Sequence, residues 1–129
     1  MPLPHTYDYA VVRVVPRVER GEFVNAGIIL VCRAQNVLAA RIELDETRLL
    51  ALDPNADLEA LNAALAVIPA VCAGGAAAGA LGRLSLRERF DWLVAPRSTS
   101  IQTSPVHSGR CNDLEATIEH LLDRMVRAT

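Results

Sequence analysis

The stretch YDYAVVRVV, residues 7–15, decides the fold. It is crowded with aromatic and β-branched side chains and bounded by Pro16, whose missing N–H stops a hydrogen-bonded ladder, so it reads as a strand. Beyond it, RVERGE (17–22) carries Arg20 and Gly21 and reads as a turn. FVNAGIILVCR (23–33) is a second strand, in which Gly27 marks a bulge or a close backbone contact. After a polar break at AQN (34–36), VLAARIEL (37–44) supplies a third strand, which completes an antiparallel meander.

Such a sheet has apolar faces that need a cover, and the second half of the chain can provide it. Residues 45–52 form a short helix before Asp53 and Pro54. Asp57 caps a longer one with Leu58, Leu61, Leu65 and Ile68 along one stripe. Pro69 is expected to end or kink that helix, and the Ala- and Gly-rich run 73–82 to be a flexible connection. Ser85 and Glu88 have the spacing of a capping box, followed by Leu86, Phe90, Leu93 and Val94 at helical intervals, with Pro96 as the stop. Trp92 is expected to pack nearby. Residues 99–106 could add a further strand at the sheet edge or between the helices. Asn112 with Glu115 resembles a second capping box, opening a final helix through Leu114, Ile118, Leu121, Leu122, Met125 and Val126. The expectation is one α+β domain over residues 1–129: a three- or four-stranded antiparallel sheet, the N-terminal meander, covered by helices from the C-terminal half.

Composition narrows the chemistry. A length of 129 residues with 51% hydrophobic content suffices for one core without metal or disulfide support. A net charge of -2 and 4% aromatic residues argue against a nucleic-acid partner. All thirteen basic residues are Arg, which excludes Schiff-base lysine chemistry and the phosphate-binding lysine of a P-loop. Gly74 and Gly79 have the spacing that opens a Walker motif, yet Ala80 and Leu81 occupy the positions that require Lys and Ser or Thr. Cys32, Cys72 and Cys111 form neither a disulfide framework nor a metal pair, and the first residues lack a signal-peptide pattern, so a reducing, cytoplasmic location is expected. The uncharged stretch between Ala60 and Gly82 is mostly Ala and Gly with Pro69 inside, too weakly apolar for a membrane span.

The segment RSTSIQTSPVH (97–107) is the candidate functional surface. Between Asp91 and Asp113 there is no acidic residue, while Arg97, Ser98, Thr99, Gln102, Ser104, His107 and Arg110 supply donors. Guanidinium forks with hydroxyl and amide donors suit an anionic small molecule; a solvated loop built from turn-forming residues has the same composition. Arg13 and Asn25 interrupt otherwise apolar strands and join the candidate ligand-binding set. Arg13 either bridges to Glu22 or Glu43 or points into a pocket shared with Arg97. A rival reading makes the chain a small hydrolase or phosphoryl-transfer enzyme with His107 as general acid or base, since Ser104 and Cys111 lie three residues before and four residues after it. No orienting acid is visible beside His107, and neither a metal site nor a cofactor is expected.

The segments ERGEFVNAGIIL (19–30) and WLVAPRSTSIQTSPVHSG (92–109), with the start YDYAVVRVVPR (7–17), resemble the small bacterial proteins grouped as domain of unknown function 3037. The resemblance covers nearly the whole chain. It carries no established activity, and it implies that the polar segment belongs to the family pattern. It also implies that the chain is a companion of kinase-fold proteins similar to HipA, with Arg97 in an interface or a shared nucleotide site. The expectation is therefore a non-catalytic module that binds an anionic small molecule or a partner protein.

Overall fold

A computed structural model describes residues 4–127. Across them the chain runs β1 (His5–Val14), β2 (Val24–Cys32), β3 (Val37–Ile42), α1 (Glu46–Leu52), α2 (Leu58–Ala73), α3 (Leu86–Val94), β4 (Ile101–Thr103), β5 (His107–Cys111) and α4 (Leu114–Met125). The architecture is α+β, with the expected meander at its centre. β1 pairs antiparallel with β2, and β2 with β3. The polar segment adds more sheet than its sequence suggests: β4 and β5 lie one after the other along the free edge of β1, giving five strands. HSGRC has no apolar alternation, which is why β5 escapes a reading by pattern.

Alternation in the strands serves two cores, one on each face of the sheet. Val12, Val14, Ala26, Ile29 and Val31 turn to the side covered by α1, α2 and α3, where they meet Leu49, Leu65, Val71 and Phe90. Val11, Ile28, Leu30 and Cys32 turn to the other side and meet Ile118, Leu121 and Leu122 of α4. The phase of β2 changes at Gly27. There the register against β1 slips, Val12 facing Gly27 while Arg13 faces Asn25, so that Ala26 is the extra residue of a bulge. A Cβ at Gly27 would sit 2.5 Å from the Arg41 carbonyl oxygen, the close contact that its place in the strand foreshadows.

Each α-helix starts on a side-chain oxygen. Asp45, Asp57, Ser85 and Asp113 accept from the backbone N–H groups of Arg48, Ala60, Glu88 and Ala116, and Ser85 with Glu88 completes the capping box. The cap of α4 is thus Asp113, one residue beyond the Asn112 expected from spacing.

Two further expectations are corrected. α2 continues through Pro69 to Ala73, because Val71 and Cys72 are buried in the core and Arg89 donates to both their carbonyls, at 2.9 and 2.6 Å. The Ala- and Gly-rich run is not a loose connection either. Ala76–Arg83 forms tight 3-10 turns, closed by a backbone bond from Gly75 N–H to the Gly82 carbonyl. Among the described residues no single helix is long and apolar enough to cross a membrane; α2 meets the following turns at a bend of 61°.

Candidate functional site

The polar segment begins where α3 ends. Pro96 prevents the helix from continuing, and Arg97 folds back over the terminus. Its guanidinium donates to the carbonyls of Trp92 at 2.6 Å, Leu93 at 3.0 Å and Ala95 at 3.2 Å, and lies 4.6 Å from the centre of the Trp92 ring. A cation is favoured there by the negative end of the helix and by the face of the indole. Three of the five N–H donors of Arg97 are therefore committed to its own helix.

Beyond Arg97 the chain returns to the sheet. Thr99 Oγ1 donates to the Ile101 carbonyl, Gln102 Nε2 donates to the Thr99 carbonyl, and Thr103 Oγ1 donates to the Val94 carbonyl of α3. Ser98 is exposed, and its side chain makes no hydrogen bond among the described residues. Ser104 has a structural task. It is only 5% exposed, its Oγ accepts the Val11 N–H at 2.9 Å, and the hydroxyl donates to the Pro105 carbonyl. The Ser104 backbone N–H donates to the Val11 carbonyl as well, so this residue carries the ladder across the gap between β4 and β5.

His107 opens β5 opposite Tyr9, with the two rings 5.6 Å apart. It is exposed, and its imidazole has no hydrogen bond among the described residues. Cys111, four residues along the same strand, is roughly 13 Å away at the rise of a β-strand. Ser104, Cys111 and His107 thus form no nucleophile and base pair.

These elements enclose a groove of about 440 Å³ between α2, α3 and the segment that leads into β4. Its floor is an exposed stripe of α2, Ala60, Ala64 and Val67, spaced at helical intervals about 100° round the helix from the buried stripe Leu61, Leu65 and Ile68. Trp92 forms one wall, and Arg97, Thr99 and Gln102 stand on the rim. Val67 is 48% exposed and Trp92 39%. The groove thus combines an apolar floor with a few polar groups around it.

Over residues 9–126 the chain matches the family described as Protein of unknown function (DUF3037). The chain belongs to that family. Comparison with curated proteins and with solved structures returned no match.

In this DUF3037 chain the strand interruptions take a form not expected from sequence. Arg13 bridges to neither Glu22 nor Glu43, because Glu22 pairs with Arg20 and Glu43 with Arg127. Its guanidinium lies instead 4.3 Å from the centre of the Phe23 ring. Asn25, its neighbour across the ladder, donates from Nδ2 to the Met125 carbonyl at the end of α4. Arg13 Nε and Asn25 Oδ1 are buried and have no hydrogen-bond partner among the described residues. Gln102 faces Arg13 from β4, so Asn25, Arg13 and Gln102 form one row across the sheet. The structure therefore brings Arg97, Thr99 and Gln102 together at the groove and Arg13 and Asn25 together beside Gln102. It leaves Ser104 inside the ladder and His107 further along β5.

Pattern reading missed Ala60, Ala64, Val67 and Trp92. The signal was present: a helix facing water usually carries charge on its outer stripe, and residues 60–73 of α2 carry none.

Proposed function

We propose that this DUF3037 chain is a non-catalytic recognition module that takes an apolar segment of a partner protein into the groove between α2 and α3. The observation that carries the reading is the uncharged outer stripe of α2 set against a half-exposed Trp92. Aromatic side chains in partly enclosed apolar sites anchor protein interfaces, while polar rims fix orientation. The second amide N–H of Gln102 and the two remaining donors of Arg97 serve as that rim, offering hydrogen bonds to a carboxylate or a main-chain carbonyl on the occupant, while Thr99 Oγ1, whose proton goes to the Ile101 carbonyl, is left to accept. The family resemblance supplies the partner to try first, a kinase-fold protein similar to HipA, and a cytoplasmic setting accords with the three free cysteines.

Isothermal titration calorimetry with a purified HipA-like protein from the same genome tests the reading. Wild type and a Val18→Glu control, altered at an exposed site outside the groove, should bind alike. Val67→Glu should weaken binding at least about tenfold, since it forces a carboxylate against an apolar surface. Equal affinity of Val67→Glu and wild type, or no binding by wild type, overturns the proposal.

A further inference from the structure

A second surface lies at the other end of β1, eight residues and roughly 26 Å of strand away from the Val14 end that adjoins the groove. There Asp8 faces Val31 on one side and Ser108 on the other, and Thr6 faces Arg110. Carried one pleat further, the same register sets Arg33, the first residue after β2, opposite Thr6. Arg33, Thr6, Asp8 and Arg87 line a shallow cavity of about 230 Å³. The side chains of this row share the face that carries α3, because Asp8 accepts from Ser108 Oγ at 2.6 Å and from Arg87 Nη1 at 2.8 Å.

The charges here do not cancel. Asp8 has both oxygens engaged, and Arg87 is balanced by Asp8 and Asp91. Arg33 and Arg110 make no ion pair with any described residue, and both are exposed. Two strand spacings place their Cα atoms about 10 Å apart with the Thr6 hydroxyl between them, a span that two arginine side chains can close from opposite sides. A carboxylate satisfies one guanidinium fork with its two oxygens. A phosphoryl group offers three terminal oxygens and close to two charges, enough for both forks and the hydroxyl.

We propose that Arg33, Thr6 and Arg110 form a phosphoryl-binding site, distinct from the groove, that takes phosphate free or as a monoester. The experiment is an NMR titration of the amide spectrum with inorganic phosphate at constant ionic strength, repeated with a phosphoserine peptide. Wild type should show saturable shifts confined to the amides of Thr6, Arg33, Ala34 and Arg110. The exposed double variant Arg33→Ala with Arg110→Ala should bind at least about tenfold more weakly while the rest of its spectrum stays in place; Thr6→Val should fall between. Arg124→Ala, an arginine on α4, should bind as wild type does. Saturation by phosphate alone assigns the site to the free ion, and saturation by both probes to a phosphoryl group carried on a larger molecule. Shifts that never saturate, or an equal loss in Arg124→Ala, reduce the effect to diffuse attraction and overturn the proposal.

Discussion

Replacing Ser104 by alanine leaves the Val11 N–H facing a methyl group at a site that is only 5% exposed. The variant should lose about 1–3 kcal/mol, read as a lower denaturant midpoint with an unchanged slope. A loss within error would mean that the hydroxyl does not hold the edge. Composition cannot separate such a serine from a ligand-binding one, since both are short donors in a polar run; only the partner across 93 residues of chain decides. Gly27 is the opposite case. A glycine inside an apolar strand gives up side-chain packing and chain entropy, a cost that a bulge or a close backbone approach offsets, so its role is legible in the sequence. The cysteines give a second residue-scale prediction. Cys32 and Cys72 are buried, and burial pushes the Cys72 thiol up to about 11, whereas Cys111 lies partly open on β5. A thiol reagent near neutral pH should modify Cys111 in the native protein and all three cysteines only after unfolding. Fast native labelling of Cys72 would contradict the packing of α2.

At the scale of elements, polar side chains decide where helices end and how they dock. The Ser85 box was readable because its two members lie within a single helical turn of sequence, and Asp57 was readable as a short acceptor before an apolar run; Asp45, read as the first residue of its helix, is instead the cap. The persistence of α2 past Pro69 was not, since the partner that compensates the turn, Arg89, sits on a different helix. Docking of α3 on the sheet is exposed to acid through Asp8. The Ser108 hydrogen bond, then the Arg87 hydrogen bond and charge, hold the Asp8 carboxyl below the usual carboxylate range. A depressed pKa contributes stability that is complete above the unfolded-state value, about 3.9, and disappears as pH falls through the folded-state value. The melting temperature of wild type should therefore drop faster than that of Asp8→Asn as pH is lowered from about 5 to about 2. Parallel curves would show that the triad adds nothing to docking.

For the whole molecule, one sheet separates two cores, and damage to them should add. Ile68→Val thins the core under α2, and Ile118→Val thins the core under α4. Each should cost about 0.5–1.5 kcal/mol, and the double variant the sum within about 0.5 kcal/mol. A strong departure from additivity would mean that the sheet transmits strain between its faces. By itself the sequence determined the meander, the buried stripes of α2, α3 and α4, and the exclusion of lysine chemistry, because periodicity, caps and residue identity are local properties. Only the tertiary structure decided what the polar segment does. Arg97 caps its own helix, Ser104 completes the ladder of β1, and the segment borders a groove floored by Ala60, Ala64 and Val67. The physical reason is that a polar group acts through its partner. Partners tens of residues away are fixed by which strands pair and which helix faces meet, not by the composition of the segment that carries the donor.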